Sequence, residues 1–210
     1  MRWHRHLVFA ALLLPTQAIA SSNAYQRVSW TFDLPERISP TAFSVCSQHD
    51  CRTRSPVQLD REQWNRIVAL FTPQAQSAAA EREQIARAIG RMEQLVAGFA
   101  NTHHDKAGDF NGFTQPGSQL DCVDESVNTT TYLTLFEQQG LLRWHRVLPR
   151  ASRGYMLFGG WPHFTAVVET TRGKPEQWVI DSWFRDNGVN ADVLPLTTWK
   201  DGWSPEGFSM

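Results

Sequence analysis

The period of the hydrophobic pattern changes at Gly140, and that change restricts the possible folds more than any other feature of the chain. Upstream, apolar residues recur at helical spacing. Trp64, Ile67, Val68 and Phe71 fall at i, i+3, i+4 and i+7, which predicts an amphipathic helix over Asp60 to Phe71. Asp60 and Gln63 resemble a capping pair, and Pro73 ends the run. A second helix is predicted over Ala78 to Ala100, with Ile85, Ala88, Ile89, Met92, Leu95, Val96 and Phe99 as its buried stripe. Gly90 within it costs ~1 kcal/mol. The third runs from Asp121 to Gln139, with Asp121 as N-cap and Gly140 as its stop. It has no clean polar face and carries Thr129-Thr130-Thr131, so it is expected in the middle of the domain. Downstream the pattern alternates, predicting strands over 143–147, 164–168 and 177–181. Gly159-Gly160 and Arg172-Gly-Lys-Pro175 read as turns. Helices first and an antiparallel sheet second make an α+β domain. Residues 21–60 read as loop-rich with one half-buried strand, Val28-Ser-Trp30-Thr-Phe32, and the tail from Asn187 as irregular.

The 210 residues suit a single domain after a leader. Arg2 and Arg5, the apolar run from Leu7 to Pro15 and Ala18-Ile19-Ala20 read as a secretory signal over residues 1–20, leaving one domain over 21–210. No second apolar run is long enough for a transmembrane helix, so the mature chain is expected to be periplasmic or secreted. Without the leader's two Arg the formal charge moves from −1 to −3. A weakly acidic chain argues against nucleic acid as a partner.

Three cysteines are present. Cys46 and Cys51 read as a disulfide loop in an oxidising compartment. His49 lies between them, but no fourth ligand completes a zinc site, and no metal is expected. His103-His104-Asp105 reads as a solvated loop. Asp105, Asp109 and Asn111 form at most a loose oxygen site for calcium, without EF-hand spacing.

Cys122 is the odd thiol, and it opens the third helix. Unpaired N–H groups at a helix N-terminus favour thiolate, although an Asp121 cap opposes that effect. Residues 163–181 read as an antiparallel hairpin turning about Arg172, which sets His163 directly opposite Asp181. Their even separation keeps both side chains on one face if the centre shifts. The carboxylate would orient the ring, and the other ring nitrogen would take the thiol proton. Oxyanion donors are expected from the Cys122 backbone N–H and from Gln115 or Gln119. His145 is a rival base without an evident acid. The plain alternatives are an inert buried thiol, a turn histidine and a strand-end aspartate.

Asp121-Cys122-Val-Asp124, Trp161-Pro-His163-Phe-Thr-Ala-Val and Trp178-Val-Ile-Asp181-Ser-Trp183 resemble the transglutaminase-like superfamily, closest to its exported bacterial cysteine proteinases. The resemblance covers about residues 80–185 and implies a papain-like core whose central helix starts at the nucleophile. It also implies Cys122 as nucleophile, His163 as general base and acid, and Asp181 as orienting acid. Where that branch usually has Gly-Asp-Cys-Glu-Asp, this chain has Leu120-Asp-Cys-Val-Asp124.

The expectation is an exported cysteine peptidase or amidase acting on a protein or peptide through a thioester. Amine acyl transfer or cross-linking is the alternative enzyme chemistry. The non-enzyme alternative is a peptide- or glycan-binding domain using Trp144, Trp161, Trp178, Trp183, Trp199 and Trp203.

Overall fold

The computed structural model describes residues 23–108, 119–154 and 162–208. The leader, the Gly159-Gly160 turn and Trp161 therefore lie outside the described residues. Five α-helices and six strands follow in the order α1 (Asn23–Phe32), β1 (Phe43–Ser47), β2 (Thr53–Val57), α2 (Arg61–Val68), α3 (Ala78–Ala100), α4 (Cys122–Gln138), β3 (His145–Arg153), β4 (His163–Thr170), β5 (Gln177–Asp181), β6 (Asp192–Pro195) and α5 (Leu196–Lys200). The fold is mixed α and β, as the change of period implies. No described helix is long and apolar enough to cross a membrane.

The centre of the molecule is α4. Every side chain from Asp124 to Phe136 is buried. Its threonines satisfy themselves: Thr130, Thr131 and Thr134 donate to the carbonyls of Ser126, Val127 and Thr130 at 2.7–2.9 Å. Poor helix formers are tolerated here because packing and internal hydroxyl bonds replace propensity. The helix packs on β4 and β3 of a four-stranded antiparallel sheet ordered β3-β4-β5-β6, and on β1 of a separate hairpin.

The second predicted helix is present as α3 over the expected residues, capped by Ser77. Its stripe is buried except at Leu95, which is half-buried, and Phe99, which is exposed. Gly90 is required rather than tolerated. A Cβ there would sit 2.7 Å from the Val189 carbonyl oxygen, where the 188–189 loop crosses the helix. The Gly188 N–H donates to Glu93 at 2.9 Å and holds that crossing. The Asp60–Gln63 capping box opens α2, which tightens into a 3-10 turn over Ala69–Phe71.

Three expectations fail. Val28 to Phe32 belongs to helix α1 and not to a strand. Ala24, Tyr25, Val28 and Ser29 form one buried face, while Trp30 is 89% exposed. Packing on α4 and β3 overrides the local alternation. The loop-rich stretch contains the β1–β2 hairpin, closed by a Cys46–Cys51 disulfide. The tail is also structured: β6 completes the sheet, bound through the Arg185–Asp192 pair, and α5 buries Trp199 completely. These elements are too short for a period to register.

The β4–β5 register runs from Ala166↔Ile180 to Glu169↔Gln177, two residues away from the expected one. The turn centres on Gly173, where φ is +76°, and not on Arg172. Asp181 thus falls opposite position 165 and diagonal to His163. A two-residue slip preserves the face, since side chains alternate with period two.

Candidate active site

His163 opens β4 and Asp181 ends β5, both pointing to the same face of the sheet. The diagonal offset is bridged by a 2.8 Å contact between His163 Nε2 and Asp181 Oδ2. Trp199 of α5 donates its indole N–H to the same carboxylate oxygen, also at 2.8 Å. The imidazole packs among Trp183, Phe184 and Trp199, with ring centroids 4.7, 5.1 and 5.4 Å away. A carboxylate accepts and does not donate, so the proton of the neutral ring sits on Nε2. That leaves Nδ1 as a lone-pair nitrogen, and it is buried without a hydrogen-bond partner among the described residues.

Cys122 is the first residue of α4 and is 3% exposed, packed with Trp183 and Phe184. Its sulfur lies 3.7 Å from the Pro162 carbonyl oxygen. The Phe164 backbone N–H and the residue's own N–H also turn toward the sulfur. The sulfur therefore touches the backbone on both sides of His163. Burial pushes the thiol up to about 12, with Asp121 and Asp181 adding to the shift and the two N–H groups opposing it. The thiolate expected from a helix N-terminus is not the resting state, because burial disfavours it and the Asp121 that caps this terminus adds to that. The neutral thiol donates to Pro162 instead.

The disulfide hairpin reaches this same terminus. Gln48, His49, Asp50 and Cys51 are all left-handed, with φ between +53° and +66°. Such values cost an L-residue roughly 1–2 kcal/mol each. In compensation, the N–H groups of His49 and Cys51 donate to Asp124, and that of Asp50 to Asp121, at 2.8–2.9 Å. Asn128 clamps both backbone groups of Cys46. Burial, with Asp121 adding, still pushes the Asp124 carboxyl up to about 8. Asp124 and the two sulfurs lie within 4.8 Å of one another, but both sulfurs are spent in the disulfide.

Other expected residues lie elsewhere. Gln119 uses both ends of its amide, accepting from the Lys106 N–H and donating to the His104 carbonyl, each at 2.9 Å. Its donor is therefore committed to that loop. Gln115 lies outside the described residues, as do Asp109 and Asn111 of the loose calcium set. Asp105 is buried and accepts from the Leu120 N–H at 2.6 Å. Among the tryptophans, Trp183 and Trp199 wall the imidazole. Trp178 lies under the Arg82 guanidinium at 3.5 Å, and Trp144 under Arg172 at 4.4 Å.

His145 does have an acid. Its Nδ1 lies 2.9 Å from Glu81 on α3, and Arg82 approaches its Nε2 at 3.4 Å. The sequence reading missed Glu81, which lies 64 residues away. It also missed Arg150 and Arg153, and it placed Trp199 in a ligand groove rather than on Asp181. Arg150, pushed down to about 10 by burial, is placed to favour a Cys122 thiolate if one forms. Arg153 pairs directly with His163 across β3–β4. No local pattern marks any of the four.

No family model, curated protein or solved structure matches the chain.

Proposed function

We propose that the chain is an exported cysteine peptidase or amidase with a papain-like, transglutaminase-like core, using Cys122, His163 and Asp181. One observation carries this reading. The imidazole has one nitrogen tied to a carboxylate and the other buried without a hydrogen-bond partner among the described residues, beside the backbone that contacts the sulfur. His163 Nδ1 takes the Sγ proton as sulfur attacks the amide carbonyl, so a neutral resting thiol suffices. The Cys122 N–H donates to the oxyanion. The leaving amine takes the proton from Nδ1, and a thioester remains. Water, deprotonated by Nδ1, releases the carboxylic acid and restores the thiol. Water outnumbers amine acceptors, so hydrolysis is the default outcome. The disulfide and the leader motif support export.

A second reading, a non-catalytic domain with an inert thiol, is favoured by the burial of Cys122 and its raised pKa. Iodoacetamide kinetics separate the two. The enzyme reading expects Cys122 alkylation to be assisted by His163, so that His163→Ala slows it about 100-fold or more. Labelling unchanged in that variant supports the inert domain.

A further inference from the structure

Arg153 ends β3 directly opposite His163, so their side chains share a face of the sheet. Its residue exposure is 9%. The guanidinium lies over the Trp199 ring at 4.5 Å, and Nη1 donates to the Trp199 carbonyl. Those two contacts explain its position but leave its other edge idle. Nε and Nη2 are both buried, and neither has a hydrogen-bond partner among the described residues.

These two nitrogens are the parallel donors of the guanidinium's side-on fork. Buried donors are satisfied in the great majority of cases, and charged ones are the most costly to leave open. The acid that most influences Arg153 is Asp181. However, Asp181 Oδ2 already accepts from His163 and Trp199. The fork is thus a preorganised pair of donors without a protein partner among the described residues, directly across the ladder from the proposed base. Its spacing matches the two oxygens of a planar carboxylate.

We propose that the Nε/Nη2 edge of Arg153 binds a peptide carboxylate, either an acidic side chain or a chain terminus, next to the Cys122 site. The assignment rests on the peptidase reading for its purpose but not for its test. A carboxylate held there fixes the substrate relative to His163 and makes charge a specificity determinant. A lysine would keep the charge but lose the two-point geometry.

The test is calorimetric titration of the mature protein carrying Cys122→Ala, which removes the proposed nucleophile, with three probes. N-acetyl-L-alanine carries a terminal carboxylate, N-acetyl-L-aspartic acid 1-amide a side-chain carboxylate, and N-acetyl-L-alaninamide neither. At least one acid is expected to bind about tenfold or more tighter than the neutral amide, and the better acid identifies the source. Arg153→Lys is expected to remove about tenfold of that preference. Equal binding of acid and amide, no binding of either acid, or a preference unchanged in Arg153→Lys overturns the proposal. So does inorganic phosphate binding more tightly than both acids. Should the Arg153→Lys variant fail to fold, the acid-against-amide comparison with Arg153 intact still decides. No probe is cleaved, so an inert Cys122 leaves this result unaffected, and the alkylation test does not involve Arg153.

Discussion

Two buried imidazole–carboxylate pairs sit at opposite ends of the β3–β4 ladder. His145, paired with Thr170 at one end, meets Glu81 at 2.9 Å; His163, paired with Arg153 at the other, meets Asp181 at 2.8 Å. The contact lengths hardly differ, but the surroundings do. Glu81 also accepts the backbone N–H groups of Arg143 and Trp144, and Arg82 covers the second nitrogen of His145. That pair locks the entry to β3 onto α3. At the other end, Asp181 takes an indole N–H, and the second histidine nitrogen has no hydrogen-bond partner among the described residues. A bond between the same two groups is a structural tie in one place and leaves an open ring nitrogen in the other. The difference is whether the distal nitrogen is engaged.

The sharpest way to break this comparison is to remove each ring. His163→Ala is expected to slow Cys122 alkylation per folded molecule about 100-fold or more and, since it too strands a buried carboxylate, to cost about 3 kcal/mol of stability. His145→Ala should show only the stability loss. It strands a buried carboxylate, lowers stability by about 3 kcal/mol in a urea melt, and leaves alkylation per folded molecule unchanged. Equal effects on alkylation would erase the distinction.

Glu125, which accepts from Ser182 behind Asp181, tests the electrostatics of the same end. Burial pushes its carboxyl up to about 7, with Asp181 adding to the shift. A raised carboxyl favours the folded state below the unfolded pKa near 4.5, and that advantage is lost as pH rises through 7. Stability should therefore fall on the order of 3 kcal/mol between pH 4.5 and 7. Glu125→Gln should flatten that slope in pH-resolved melts; an unchanged slope would assign it to other groups.

Opening the disulfide is expected to cost about 2 kcal/mol for so short a loop. It should also move the alkylation midpoint of Cys122 to higher pH, because three N–H groups would stop neutralising Asp121 and Asp124. Alkylation with and without a phosphine reductant checks this. The smallest effect is expected from Trp199→Phe, which keeps a ring but deletes one donor to Asp181. Alkylation should slow about tenfold, equivalent to about 1.4 kcal/mol, while the matching change at the other end, Arg82→Met, should leave it unaltered.

Much of this arrangement is legible before any coordinates. Helix α3 carries its own period and cap, and α4 shows both its start at Asp121 and its stop at Gly140. Parity alone puts His163 and Asp181 on one face, and their bond forms even though the register is two residues off. The Cys46–Cys51 link follows from proximity in sequence and an odd third cysteine. By contrast, α1 reads as a strand because its alternation over Val28 to Phe32 is real, yet Trp30 faces outward. Its fate was decided by the surface it packs on.

Sequence by itself therefore determined what depends on neighbours along the chain: periods, caps, turn residues and face. These are short-range, set by backbone geometry and a few adjacent side chains. Tertiary structure alone decided which groups meet across long separations. It gave His145 the acid Glu81, gave Asp181 the donor Trp199, held the thiol neutral, and left Arg153 with an open fork beside His163. Burial and partnering are properties of a place in space, and hydrogen-bond reach is a few ångströms regardless of how many residues lie between.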